Sequence, residues 1–151
     1  MKKIILILIV LTASISACKK EATFDPSVQA TIDDGDIQTY LKANSIVAVK
    51  DPSGLYYQVI NAGTGGTPNI NSNISVNYSG KYLDGVTLDQ GTLTRYPLKN
   101  LIQGWGIGIP YIKVGGRIVL YIPSALAYGH SPTNGVRADA VLIFTIDLTG
   151  I

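Results

Sequence analysis

Few residues of this 151-residue chain are equipped for covalent or acid–base chemistry. His130 is the only histidine and Cys18 the only cysteine, so neither a histidine metal cluster nor a His-dependent triad can be assembled. The glycines at 63, 65, 66, 104, 106 and 108 are followed by no Lys-Ser or Lys-Thr pair, which argues against a phosphate-cradling loop. No metal, cofactor or nucleotide is expected. What remains is apolar and aromatic. The single tryptophan, Trp105, closes the run Leu101-Ile102-Gln103-Gly104-Trp105. Gly115-Gly116-Arg117, Ala127-Tyr128-Gly129 and the apolar run from Ala140 to Phe144 follow it. Upstream stand Asn77-Tyr78-Ser79-Gly80, then Asp84-Gly85 and Leu88-Asp89.

The elements that must position these residues are mostly strands. Leu55 to Ile60 is rich in tyrosine and aliphatics, and Gly63-Thr64-Gly65-Gly66-Thr67-Pro68 is a turn cluster. Ile74, Val76 and Tyr78 alternate with Ser75, Asn77 and Ser79, the pattern of a strand with one buried face. Asp84-Gly85 signals a hairpin. Arg117 to Ile122 and Ala140 to Leu148 read as further strands. Between Leu101 and Val114 a short helix is expected, although its glycines each cost about 1 kcal/mol against alanine. Packing would have to hold it. Upstream, Lys19 to about Ile32 shows no sustained periodicity and reads as a flexible tether. Asp33, Asp34 and Asp36 then open a short, loosely ordered helix through Ile37, Tyr40 and Leu41, with Asn44 as its stop. Several antiparallel strands with one short helix make an α+β domain.

The N-terminus carries a separate signal. Lys2 and Lys3 precede an unbroken apolar run from Ile4 to Leu11, too short to span a bilayer of about 30 Å permanently. This layout is a secretory signal peptide over residues 1–17. Ile15-Ser16-Ala17-Cys18 resembles the bacterial lipobox, in which the cysteine is acylated and becomes the new first residue. Cleavage before Cys18 removes Lys2 and Lys3, so twelve basic residues fall to ten, against ten acidic ones. The positive charge belongs to the signal and gives no argument for nucleic-acid binding. The expected organisation is a signal peptide (1–17), a lipidated tether with its short helix (18–52), and one domain (53–151). Lys19, rather than aspartate, after the cysteine points to the outer membrane, facing the periplasm.

The ordered fragments from Asn77 to Phe144 resemble the FKBP-type peptidyl-prolyl cis-trans isomerases, over roughly the last hundred residues. The resemblance implies a twisted antiparallel sheet wrapped around one short helix, with a shallow apolar pocket between them. It assigns Trp105 to the pocket floor, Leu101 and Ile102 to one wall, and the Ile102 backbone N–H to a substrate carbonyl. Tyr128 would reach the substrate backbone. Tyr78 and Asp89 would face each other beside the twisted carbonyl, so these three carry the catalytic expectation. Phe144, Leu88, Tyr96 and Val136 fit further wall positions. Leu88 stands where the family usually has phenylalanine, and Val136-Arg137-Ala138-Asp139 replaces a common Ile-Pro-Pro run. By the same resemblance, the expected ligands are proline-containing peptides, exported proteins and macrolides such as rapamycin. A monomer held to the membrane by lipid is expected, assisting the folding of exported chains. The two departures leave open a non-catalytic peptide-binding module, or a chaperone, as alternatives.

Overall fold

The computed structural model describes residues 23–133 and 135–151; the signal sequence and Cys18 lie outside the described residues. Six strands form one antiparallel sheet: β1 (Val49–Lys50), β2 (Tyr56–Asn61), β3 (Asn73–Tyr82), β4 (Thr87–Pro97), β5 (Arg117–Ile122) and β6 (Leu142–Gly150). Their order across the sheet is β1-β2-β5-β6-β3-β4, so the last of the six in chain order lies at its interior. The expected α+β class is found, and β5 matches its expected bounds.

Alternation along the strands creates two faces. Ile118, Leu120 and Ile122 of β5 point inward with Leu142, Phe144, Ile146 and Leu148 of β6, and with Ile74 and Val76 of β3. Onto this concave face packs helix α2 (Gln103–Gly108), continued by a 3-10 turn over Ile109–Tyr111. Upstream of the sheet lies the helix α1 (Pro26–Ala43). The glycines that weaken α2 by propensity are what let it approach. A Cβ at Gly104 would stand 2.5 Å from Ile122 Cγ2, and one at Gly108 would collide with Leu120. Only glycine allows this approach without a shift of the helix.

The opposite face differs from the sequence-based expectation. α1 spans 18 residues rather than a short segment beginning at Asp33, and it is packed, not loose. Asp25 caps it, accepting from Ser27 N–H at 2.9 Å and Val28 N–H at 3.4 Å, and Pro26 occupies its first turn. Part of the segment expected to be a flexible tether is therefore helix, and only residues 19–22 of it fall outside the described residues. Ile37 and Leu41 bury against Tyr56, Tyr121, Val141 and Ile143. The aspartates expected to favour the helix start lie mid-helix, and two of them meet other partners instead. Asp33 is buried against the loop after β5, and Asp34 pairs with Lys50 at 2.6 Å and accepts from Tyr56 Oη at 2.8 Å.

Candidate active site

The β3–β4 hairpin supplies the first wall. Its register sets Gly80 opposite Asp89 and Tyr78 opposite Gly91, which brings Tyr78 and Asp89 together diagonally. Tyr78 Oη donates to Asp89 Oδ2 at 2.8 Å, while Gln90 N–H donates to Asp89 Oδ1 at 2.8 Å. Burial pushes the Tyr78 phenol up to about 12, helped by its bond to the Asp89 carboxylate and that group's charge. Tyr78 therefore stays a neutral donor at any physiological pH.

α2 supplies the floor. Trp105 is 3% exposed, and its N–H closes the first helical turn on Ile102 C=O at 3.0 Å. Its ring meets Tyr78 edge-on at 5.3 Å between centroids and Phe144 at 5.2 Å. Such tilted pairs suit the ring quadrupoles. Gly80, paired with Phe144 across the sheet, has no side chain because a Cβ there would collide with the phenyl ring. The buried indole N–H of Trp105 has no acceptor among the described residues. The backbone N–H of Ile102, just before α2, likewise donates to none of them.

Tyr128 closes the rim. It follows a 3-10 turn over Ser124–Leu126 and remains 45% exposed. Partial burial raises its phenol above the ordinary range, with the Asp89 charge adding to the effect. Together Tyr78, Asp89, Leu93, Tyr96, Leu101, Ile102, Trp105, Tyr128 and Phe144 enclose a cavity of about 230 Å³.

Eight of the ten residues expected at the site thus line one cavity. Leu88 and Val136 do not. Leu88 packs against the main core instead. Next to Val136, the Arg137 guanidinium lies 4.1 Å from the centroid of the Tyr82 ring and pairs with Asp84 at 2.6 Å, which draws that loop toward the β3–β4 turn. Leu93 is a lining residue the sequence reading missed. Asp89, Gly91 and Leu93 form one alternating row on β4. Between Leu93 and Tyr96 the register slips by one residue, with Arg95 at a φ of 50°, so Tyr96 regains the cavity face. Assigning β4 by alternation from Asp89 would have found Leu93.

A wider hollow of about 400 Å³ lies between α1 and the loop before β2. Its Asp34 and Lys50 are paired with each other, so it offers little unspent chemistry. Among the described residues no cluster of His, Cys, Asp or Glu is arranged to hold a metal. No helix among them is long and apolar enough to cross a membrane.

An antiparallel sheet curved over a short helix, with an aromatic cavity between them, has clear counterparts. Residues 65–149 match the sequence model of the FKBP-type peptidyl-prolyl cis-trans isomerases. The chain belongs to this family. It is 37% identical over 120 residues to the FKBP-type peptidyl-prolyl cis-trans isomerase FkpA of Aeromonas hydrophila, a match covering 76% of this chain and 45% of that protein. It is 35% identical over 104 residues to the peptidyl-prolyl cis-trans isomerase Mip of Coxiella burnetii, covering 66% of this chain and 45% of that one. The chain thus spans less than half the length of these curated relatives. Among solved structures, FkpA of Escherichia coli superimposes with a TM-score of 0.70 at 31% identity, over 82% of this chain and 61% of that one. A peptidyl-prolyl cis-trans isomerase from Pseudomonas syringae gives 0.68 at 26% identity, over 85% and 97%.

Proposed function

We propose that this chain accelerates cis–trans isomerisation of X–Pro bonds in exported polypeptides. The observation that carries this reading is the cavity itself: an indole floor, aromatic and aliphatic walls, and a Tyr78–Asp89 pair beside the opening. Rotation about a peptide bond faces a barrier of about 18–20 kcal/mol because the twisted amide loses its resonance. No bond to a nucleophile is needed to lower it. The site has only to bind the twisted amide better than either planar form. The twisted form has less charge separation, so a dry apolar cavity disfavours it less than it disfavours the planar amide. Trp105 receives the proline ring, Leu101 and Phe144 flank it, and the free Ile102 N–H holds a carbonyl of the substrate backbone. Tyr128 steadies the backbone from the rim. Tyr78, kept neutral, and Asp89 face the rotating carbonyl. A volume of about 230 Å³ suits one small ring and its amide rather than an extended ligand.

Leu88 and Val136, the positions behind the non-catalytic alternative, stand outside the lining of this cavity, and the rate assay separates the two readings. The same proposal sets the chain in the cell envelope. After removal of a signal peptide it would be held by acyl chains at Cys18, monomeric, on the outer membrane facing the periplasm. Incorporation of labelled palmitate that Cys18→Ser abolishes tests the anchor.

The isomerase test is the cis-to-trans rate of a Leu-Pro peptide with the full chain in detergent, with and without rapamycin. Catalysis that rapamycin abolishes would support both the activity and the pocket. A folded protein that leaves the rate unchanged would refute the proposal.

A further inference from the structure

Asp33 is 1% exposed, sits in the middle of α1, and lies outside the region matched by the family. A carboxylate this deeply buried needs several hydrogen bonds to offset its lost hydration. It has three. Asp33 Oδ2 accepts from Ser124 N–H at 2.7 Å and from Ser124 Oγ at 2.6 Å, and Oδ1 accepts from Gln29 Nε2 at 2.7 Å. Ser124, itself 2% exposed, passes the constraint on. Its carbonyl accepts from Ala127 N–H at 3.0 Å and from Gly129 N–H at 2.9 Å, the two residues flanking Tyr128. Two residues past Tyr128, His130 is held again by the same end of the molecule. Its ring stacks on Phe24 at 4.0 Å, just before the cap of α1, while its Nδ1 meets Asp139 at 2.8 Å.

We infer that Asp33 is a positioning residue of the isomerase site, fixing the Tyr128 hydroxyl at the cavity rim through Ser124. The inference rests on the isomerase reading above. The Tyr128 hydroxyl has no hydrogen-bond partner among the described residues: its chain segment follows a 3-10 turn, and nearly half its surface is in water. The buried carboxylate that reaches that turn comes from α1. The isomerase unit therefore extends upstream of the matched domain, and α1 is part of its working geometry.

The test is a double-mutant cycle on the full chain, with the Leu-Pro peptide as substrate. Asp33→Asn keeps the shape of the side chain but loses one of its acceptors. It is expected to lower kcat/KM on the order of tenfold, as misplacement of a substrate-holding group does. In a Tyr128→Phe background, where the hydroxyl is already gone, the same change is expected to cost little. Loss by the same factor in both backgrounds would overturn the inference, because a purely structural role does not depend on the phenol. Should Asp33→Asn fail to fold, as read by the fluorescence of Trp105, Ser124→Ala removes only the hydroxyl bond and is put through the same cycle. No acceleration by the unmutated chain would remove the isomerase reading and this inference together. Acceleration with equal losses would remove this inference alone.

Discussion

The concave face of the sheet and the face under α1 are made from alternate residues of the same strands, yet they are held by different means. Fifteen buried residues form the concave cluster and six the other, so the first has apolar contact to spare and the second does not. On the rich side a helix of six residues, poor by propensity, is seated by the burial of Trp105 and by glycine against branched side chain. That surplus tolerates a cavity, a cost to stability. On the lean side an 18-residue helix takes its register from a polar pin, Asp33 on Ser124. Apolar area decides how much a face can leave unfilled, and directional bonds decide where a thinly covered helix stops sliding.

Trp105→Ala should break the comparison most severely. Emptying the floor should lower stability by about 3–5 kcal/mol and abolish isomerase activity, as read by urea unfolding and the peptide assay. Ile37→Ala, on the other face, should cost nearer the lower end of the ~2–5 kcal/mol range for such truncations, since α1 is free to settle over the gap. Because Trp105 is the only tryptophan, its fluorescence reports the concave face, whereas far-UV circular dichroism also reports α1. In the Ile37→Ala chain the dichroism should begin to fall at lower urea than the fluorescence. Coincident curves would mean that the faces unfold as one unit. Gly104→Ala should lift α2 from β5 at a cost of about 1–3 kcal/mol and blunt catalysis by shifting Trp105. The mildest test is pH. The acidic form of Tyr78 is the neutral donor, and its raised value keeps it so; the peptide rate should stay level through pH ~10, where an ordinary tyrosine titrates. An alkaline decline centred there would show a phenol in contact with bulk water.

Much of the concave face was legible because it is written in short-range patterns. The alternation through Ile74, Val76 and Tyr78 predicts β3, and Asp84-Gly85 marks the hairpin that brings Asp89 back to Tyr78. The α1 face was less legible. Its inward row is Asp33, Ile37 and Leu41, spaced by four, and the first member is a carboxylate. Read as polarity, Asp33 belongs in water. Its burial depends on Ser124, 91 residues away in sequence, which no local pattern reveals. The start of α1 was legible in principle, since Asp25-Pro26-Ser27 is a capping signal, but the polar composition of the segment obscured it. Val136 and Leu88 were placed by the resemblance. The structure turns them from the cavity because Arg137 finds Tyr82 and Asp84, and because Leu88 finds the core.

The position of β6 bears on how the protein itself is made. It pairs with both β3 and β5, and it carries Phe144 to the cavity, yet it is the last of the six strands in chain order. β3–β4 is a hairpin, β2 and β5 pair across the intervening β3, β4 and α2, and Leu142–Gly150 is the strand that bridges the two pairs. Sheet closure therefore joins distant parts of the chain in one late step, the kind of non-local pairing that folds slowly. A polypeptide that has not yet delivered Phe144 to the sheet lacks one wall of the cavity. Any activity seated in this cavity therefore waits on the chain's own folding.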